Sequence, residues 1–225
     1  MRTEIKNIIR SLEFFSNLSK KEVERLTSIS SLKSYEKGKL LYYEKSQSDK
    51  LLFLIEGLAK AYKMDKYDNE IFLYHIYKKH MLSEISSLED IQLSSYSNIS
   101  VIEDSIILSI DYGEFKKHFL DKEILCREVS CEVLRQSKLL KKLVNREFVF
   151  DSVSKVAMML STDLDIFNRS KRYDISLMLN IQPSTLSRVL SRLKRNAIIK
   201  INRGEVIIVN QKQLIDIYEG IEKHG

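Results

Sequence analysis

The chain has 225 residues, with 37 lysines and arginines against 31 aspartates and glutamates, and a formal net charge of +6 at pH 7. This length suits one large domain or two smaller ones, and the modest positive charge suits an anionic partner. No apolar run reaches about 18 residues and no signal-peptide pattern opens the chain, so we expect a cytoplasmic protein with no membrane span.

The first part of the chain predicts two short helices followed by several strands. Residues 4–17 have the apolar spacing of an amphipathic helix, and Ser19 followed by Glu22 has the capping-box pattern that begins a second helix. From about Ser31 the apolar period changes to two, which indicates an antiparallel β-roll or sandwich. With the two helices before it, this roll is predicted to form a sensor domain over residues 1–112. The predicted strands are 39–43, 51–55, 58–63, 71–76, 99–102 and 106–110, with turns at 36–38, 56–57 and 67–69.

A long helical pattern without glycine or proline follows, from about Glu114 to Arg146. A continuous helix of about 33 residues would span roughly 50 Å, which is too long for one small domain. It could run through the cores of both domains or form a coiled-coil-like dimer seam, and we favour the dimer seam over residues 113–146. The residues assigned to this seam are Leu125, Val129, Val133, Leu140 and Val144.

Residues 147–151 are predicted to be a hinge that leads into a C-terminal domain at 152–225. The two cysteines of the chain, Cys126 and Cys131, lie within the predicted long helix. Two cysteines alone cannot complete a tetrahedral zinc site or bind an iron–sulfur cluster. We favour buried, reduced thiols over a redox switch.

The stretch from Asp174 to Arg195 predicts two short helices joined by a tight turn. Asn180 closes the first helix, and Pro183, the single proline of the chain, lies where a second helix can begin, because the first helical N–H groups need no intrahelical acceptor. From Pro183 to Lys200 there are five basic residues and no acidic one, which favours DNA binding over an ordinary solvated face. The apolar positions are Ile175, Leu177, Met178 and Leu179 in the first helix and Leu186, Val189, Leu190 and Leu193 in the second.

The residues after this helix pair predict a wing. Residues 198–201 and 205–209 have the pattern of two short strands, and Gly204 supplies the turn between them. A last helix is expected over 211–222. The C-terminal domain is therefore predicted to be a winged helix.

The order of β-roll, long helix and winged helix resembles the CRP/FNR superfamily of bacterial transcription regulators. Segments 12–26, 36–44 and 51–62 are similar to the family's N-terminal helix pair and first roll strands. The most specific match is 184–201, STLSRVLSRLKRNAIIKI, which is similar to its recognition helix and the start of its wing. The resemblance implies an α+β fold with a cyclic-nucleotide-binding-like β-roll, a dimerisation helix and a winged helix-turn-helix. It also implies a homodimer that reads palindromic promoter DNA and contacts RNA polymerase.

The resemblance assigns DNA contacts to the second helix of the pair. Ser187 and Arg188 occupy the positions of a base-reading pair, and arginine can bind guanine through two hydrogen bonds. Ser184 stands where members commonly have a glutamate, so the site read is expected to differ; Thr185 is the fourth base candidate. The candidates for phosphate or secondary contacts are Gln182, Ser191, Arg192, Lys194, Arg195, Lys200 and Arg203.

Residues 81–100 stand where nucleotide-binding members have a glycine-rich turn with Glu and then Arg-Ser. Glu84 is present, but Ser83 replaces the glycine and Ser95-Tyr96 replaces Arg-Ser, so a cyclic nucleotide is not expected. Glu84 and Tyr96 stay as candidates for an effector pocket. The family's N-terminal cysteine cluster for an iron–sulfur centre is also missing.

Haem is an open cofactor assignment, because members that detect CO or nitric oxide bind it. The candidate ligands are His75, His80 and His118, with surface histidines as the favoured alternative; His224 is terminal. No other metal site is expected.

The predicted function is a homodimeric, sequence-specific transcription regulator controlled through its β-roll, with a nitrosative or redox stress response as the hypothesis for its signal. The alternatives are a regulator that needs no haem or other ligand, and a winged helix used only for protein contacts. An enzyme is not expected, because no nucleophile–base pair, histidine pair at metal spacing or phosphate loop is evident.

Overall fold

The computed structural model describes residues 2–219 and divides into two compact units, Met1–Leu140 and Lys141–Gly225. The division falls inside the helix that the sequence assigns to dimerisation. Across residues 2–219 no helix is both long and apolar enough to cross a membrane.

The first unit begins with α1 (Arg2–Ser11), a 3-10 turn (Glu13–Phe15) and α2 (Lys20–Ser28). The capping box predicted for α2 is confirmed, since Ser19 Oγ accepts a hydrogen bond from the Glu22 N–H and Glu22 Oε2 accepts one from the Ser19 N–H at 2.7 Å. These helices cover one side of the core. The buried apolar side chains that they and their connections supply are Ile5, Ile9, Leu12, Phe15, Val23 and Leu26.

Residues 30–111 form the predicted antiparallel β-roll. The strands are β1 Ser30–Tyr35, β2 Leu40–Tyr42, β3 Gln47–Ser48, β4 Lys50–Glu56, β5 Leu58–Met64, β6 Glu70–Tyr77, β7 Leu93–Ser94, β8 Asn98–Val101 and β9 Ser105–Asp111. They pair as sheets β1-β9-β4, β2-β8-β5-β6 and β3-β7, and every pair is antiparallel. All six predicted strands are present. The sequence does not predict strands β1, β3 and β7. These strands are rich in serine and show no strong apolar alternation.

Two apolar clusters hold the first unit together. One joins α1 and α2 to β4 and β9, and it continues into the helical segments that follow the roll. The other contains side chains from both of the larger sheets, such as Leu54, Ile99 and Ile107. The roll therefore has a core of its own and a second core under its helices.

The prediction of one continuous helix over 113–146 is wrong. A short α3 (Tyr112–Phe115) passes into a π-helical turn (Lys116–Leu120), and the chain leaves the helix until α4 (Cys126–Val144) begins. At the break Glu123 has a φ of +59°. Phe115 and Leu125 belong to the same core cluster, whereas in one straight helix they would be about 15 Å apart along the axis. The break returns the chain to the core.

The predicted hinge at 147–151 is also partly helical. A second π-helical turn (Asn145–Val149) extends α4, and the Phe150 N–H still bonds to the Asn145 carbonyl oxygen at 2.9 Å. The chain becomes extended at Phe150 and Asp151, where Asp151 caps the next helix by accepting a hydrogen bond from the Ser154 N–H.

The second unit contains five helices and a hairpin within residues 152–219. Residues 168–173 include the end of α6 (Leu164–Arg169) and the start of α7 (Arg172–Met178), so the helix pair begins at Arg172 instead of Asp174. The predicted C-terminal helix is confirmed as far as Glu219, and its last residues lie outside the described range. The bounds are α5 Ser152–Thr162, α6 Leu164–Arg169, α7 Arg172–Met178, α8 Pro183–Arg195, β10 Ile199–Asn202, β11 Glu205–Ile208 and α9 Gln211–Glu219.

The C-terminal end of α8 predicts a stabilising substitution. The Ile198 N–H bonds to the Leu193 carbonyl oxygen and the Ala197 N–H to that of Lys194, both at 3.0 Å, which is the Schellman pattern. Its left-handed position is held by exposed Ala197, with a φ of +56°. We expect Ala197→Gly to raise the free energy of unfolding by about 1 kcal/mol, because glycine adopts this conformation without strain.

Denaturant unfolding measures this change as a higher midpoint with an unchanged slope. The matched control is Asn196→Gly, one residue earlier, where φ is −81°. There glycine relieves no strain and should be neutral or destabilising. Equal stabilisation by both substitutions would contradict the explanation.

Candidate nucleic-acid interface

The predicted helix-turn-helix is confirmed as α7, a tight turn and α8. The Ile181 N–H bonds to the Ser176 carbonyl oxygen and the Asn180 N–H to that of Leu177, both at 3.0 Å, so α7 ends in a Schellman pattern. Asn180 has a φ of +50°, which asparagine tolerates better than most residues. Pro183 is the first residue of α8, as predicted.

The two faces of α8 differ as the sequence predicts. Its four apolar residues are buried, and the polar residues of the other faces are exposed apart from half-buried Thr185. Of the four apolar residues predicted for the first helix, Ile175 and Leu179 are buried as predicted and Met178 is half-buried, but Leu177 is exposed. The predicted contact residues with exposed side chains are Gln182, Ser184, Ser187, Arg188, Ser191, Arg192, Lys194, Arg195, Lys200 and Arg203.

Hydrogen bonds within α8 orient its candidate base-reading groups. Ser187 Oγ donates to the Pro183 carbonyl oxygen at 3.1 Å, so its lone pairs stay available as acceptors. Arg188 Nη2 donates to Thr185 Oγ1 at 3.1 Å, which directs the guanidinium toward the N-terminal end of the helix. This is the end that a recognition helix presents to base edges in the major groove.

The wing is a hairpin with a two-residue turn. Asn202 pairs with Glu205, and the turn residues Arg203 and Gly204 have φ values of +48° and +89°, as in a type I′ turn. Arg203 is exposed at the tip, and Lys200 is exposed on β10. The hairpin therefore presents two cations beside a helix that presents four arginines and lysines.

Two residues that hold the wing were missed by the sequence analysis. Asn168 bonds through its amide to both backbone groups of Val206, with N···O distances of 2.9 Å each. Arg172 donates to the carbonyl oxygens of Phe167, at 3.1 Å, and Gly204, at 2.7 Å. No local pattern could have revealed these wing contacts, because the partners in the hairpin lie 38 and 32 residues further along the chain.

The structure brings together the two effector-pocket candidates. Glu84 Oε2 accepts a hydrogen bond from the Tyr96 N–H at 2.7 Å, and Lys63 Nζ lies 3.7 Å from the centre of the Tyr96 ring. Burial raises the pKa of Glu84, against hydrogen bonds from Tyr96 and the Tyr74 hydroxyl that lower it. The Glu84 carboxylate thus already accepts hydrogen bonds from groups of its own chain.

Ser83, which replaces the family's glycine, is part of the core. Its hydroxyl lies 2.7 Å from the Tyr42 hydroxyl and accepts a hydrogen bond from the Leu52 N–H at 2.8 Å. Burial raises the pKa of Tyr42 to about 12, although the bond to Ser83 lowers it. Residues 81–100 contain no arginine. The residues present do not fit a bound cyclic phosphate.

The predicted dimer seam needs a correction. Leu125 and Val129 are 0% and 4% exposed and belong to the core of their own unit, so their assignment to the seam is wrong. Val133, Leu140 and Val144 are 45%, 43% and 52% exposed. Periodicity alone cannot separate the two groups, because both are apolar and helically spaced. The predicted seam residues with exposed side chains are thus Val133, Leu140 and Val144.

The three described haem candidates lie in different settings. His75 is buried and its ring centre is 4.7 Å from that of Phe72, so the expectation of a surface histidine is wrong there. His118 Nε2 lies 2.7 Å from Arg25 Nη2 and 3.1 Å from Glu114 Oε2. His80 Nδ1 lies 3.1 Å from the Lys78 carbonyl oxygen; His224 is outside the described residues.

The described histidines and cysteines do not form a cluster of metal ligands. Within residues 2–219 no three or more His, Cys, Asp or Glu side chains are grouped so as to hold a metal ion. Because the Nε2 atom of His118 is taken up by Arg25 and Glu114, His118 does not fit haem ligation. Cys126 is half-buried and Cys131 is exposed, so the prediction of buried thiols is wrong for Cys131.

Two family models match the chain. The cyclic nucleotide-binding domain matches residues 32–122, and the Crp-like helix-turn-helix domain matches residues 158–217. Together with the observed order of roll, helix and winged helix, these matches show that the chain belongs to the CRP/FNR family of transcription regulators. Members of this family bind DNA and are not enzymes. No curated protein matches the chain by sequence.

Solved structures of low sequence identity share the fold. FixK2 from Bradyrhizobium japonicum is 16% identical, with a TM-score of 0.70 over 84% of this chain and 97% of its own. The c-di-GMP-responsive regulator CLP from Xanthomonas campestris is 12% identical, with a TM-score of 0.64 over 84% and 99%. A CooA mutant from Carboxydothermus hydrogenoformans is 17% identical, with a TM-score of 0.63 over 85% and 88%.

Proposed function

We propose that the protein is a homodimeric regulator that reads a palindromic promoter site through α8 and is controlled through its β-roll. The observation that carries this proposal is the exposed face of α8, which holds Ser187 and an Arg188 oriented by Thr185 above a fully apolar buried face. A helix of this kind enters the major groove, and a dimer places two of them about one helical turn apart.

The residues of the interface have two proposed roles. Arg188 binds guanine, and Ser184, Thr185 and Ser187 contact neighbouring base edges. Ser184 replaces a charged family residue with a short hydroxyl, so the site differs from those of relatives that have glutamate there. Phosphate or secondary contacts come from Gln182, Ser191, Arg192, Lys194, Arg195, Lys200 and Arg203.

Selection of bound sequences from random duplexes tests this function. We expect an inverted repeat whose half-sites are about 10 base pairs apart, and an affinity that falls steeply with salt. Absence of any enriched sequence would overturn sequence-specific reading and would favour a winged helix used for protein contacts. Footprinting across the genome would then place the selected sites next to the genes that the protein controls.

The proposed dimer forms through the exposed apolar line Val133, Leu140 and Val144 on α4. We expect Leu140→Glu to weaken the dimer at least about tenfold, because association would bury two like charges without partners. Light scattering over a dilution series measures the change. The matched control is Lys138→Glu, which places a glutamate on another face of the same helix; equal weakening by both would contradict the assignment.

The proposed setting is the cytoplasm, with promoter DNA and RNA polymerase as partners and no membrane. We propose a signal other than a cyclic nucleotide, because Glu84 and Ser83 are bound within the chain. A nitrosative or redox stress response is the working hypothesis, and haem is not part of it. A haem titration checks the last point, since a stoichiometric Soret band would contradict it.

A further inference from the structure

We infer that Asn168 and Arg172 are positioning residues that hold the wing in place for its phosphate contacts. Neither residue belongs to α8, since Asn168 lies in α6 and Arg172 begins α7. Both bind the hairpin formed by β10 and β11 from outside it. This inference rests on the proposed DNA binding for its consequence, while the attachment of the wing stands on geometry alone.

Asn168 acts as a substitute for a third strand. β11 pairs with β10 on one side only. Asn168 Nδ2 donates to the Val206 carbonyl oxygen, and Asn168 Oδ1 accepts from the Val206 N–H, each at 2.9 Å. An asparagine side chain can make both bonds at once because it carries a donor and an acceptor side by side. The middle of the wing is thereby joined to the end of α6.

Arg172 joins the tip of the wing to the start of α7. Its Nη1 donates to the Phe167 carbonyl oxygen and its Nη2 to the Gly204 carbonyl oxygen, and its guanidinium lies 4.4 Å from the centre of the Phe167 ring. The planar fork of arginine makes both bonds from a fixed position, whereas a lysine has a single nitrogen for the same task. Gly204 directly follows Arg203, the exposed cation at the tip.

The attachment matters because a hairpin that moves freely would keep its cations close to the DNA phosphates for only part of the time. Each phosphate contact contributes a slope of about 0.9 to the fall of log K with log salt. A wing released from Arg172 should lose the contribution of Arg203 although Arg203 itself is intact. If Arg172 instead contacts a phosphate directly, its effect on the salt slope should not depend on Arg203, and a lysine in its place should keep the slope unchanged.

The test compares Arg172→Lys, Arg203→Ala and the double variant in salt-dependent mobility shifts on the selected duplex. We expect each single variant to reduce the slope by about 0.9 and the double variant to reduce it no further. The preference for the selected sequence should be retained, because α8 is unchanged. Arg169→Lys is the matched control and should leave the slope unchanged, because Arg169 is exposed on α6 and its Nε donates to the Asp165 carbonyl oxygen of the same helix. Additive losses, or an unchanged slope in Arg172→Lys, would overturn the inference.

Limited trypsin digestion tests the attachment without DNA. Cleavage after Arg203 should be about fivefold faster in Arg172→Lys and in Asn168→Ala, because each loses a hydrogen bond that keeps the hairpin closed. Equal cleavage in all three proteins would overturn the attachment. If the variants are cleaved faster but the unmodified protein binds no DNA, the attachment is supported and the proposed function is overturned.

Discussion

Replacing Arg188 with alanine is expected to lower the affinity for the selected site by about 10- to 100-fold. A two-bonded contact between arginine and guanine discriminates against the wrong base by about 1–3 kcal/mol. Arg188 is exposed on α8, and its hydrogen bond to Thr185 already limits the positions of the guanidinium. Mobility shifts on the selected duplex and on duplexes with one changed base pair measure both affinity and preference.

The pattern of loss identifies the role of Arg188. On duplexes that lack the guanine, the variant and the unmodified protein should bind almost equally, because the contact is already absent. The control Arg195→Ala should weaken binding to every duplex by a similar factor and reduce the salt slope by about 0.9. A uniform loss in Arg188→Ala as well would show that Arg188 contacts phosphate and reads no base.

Gly57→Ala is expected to destabilise the first unit by at least about 3 kcal/mol. Gly57 connects β4 to β5 with a φ of +92°, and a Cβ there would lie 2.2 Å from Ser105 Oγ and 2.6 Å from the Asp104 carbonyl oxygen. The backbone oxygen belongs to Asp104, the residue directly before β9, so it cannot move without disturbing the start of that strand. Overpacking and the left-handed conformation both oppose the extra carbon.

Gly38→Ala separates these two causes. Gly38 has nearly the same φ, +88°, but a Cβ there would meet nothing within 4 Å. We expect it to cost about 1–2 kcal/mol, the cost of the left-handed conformation alone. Chemical denaturation of the two variants measures the difference. Equal destabilisation would show that close packing around Gly57 plays no part.

Helix caps, helix starts and turns can be predicted from this sequence because their causes are local. The capping box at Ser19 and Glu22, the proline that begins α8 and the glycine of the wing turn each depend on neighbours within a few residues. The alternation of the roll strands and the burial of Leu186 and Leu193 follow from periodicity. The match of 184–201 to the family then connected these elements to a DNA-reading function.

The helix break and the burial of two predicted dimer residues depend on contacts between residues that are far apart in the sequence. A helical pattern continues through 121–125, but the chain turns there, and Phe115 before the break and Leu125 after it lie in one core. The same core takes Leu125 and Val129 away from the dimer line, and Gln136, which interrupts the apolar spacing, donates to the Ser83 carbonyl oxygen at 3.4 Å. Periodicity shows that a face is apolar but not what covers it.

The sequence by itself determined the kind of protein, its β-roll, its helix-turn-helix and the exposed residues of α8, because propensity, capping and turn chemistry act over a few residues. Only the tertiary structure decided the break before α4, the burial of His75, the internal bonds of Glu84 and Ser83, and the attachment of the wing. The wing shows the reason most clearly. In the sequence, Asn168 and Arg172 are simply two polar residues before the helix-turn-helix. Folding brings the backbone of Val206 and Gly204 within hydrogen-bonding distance of them.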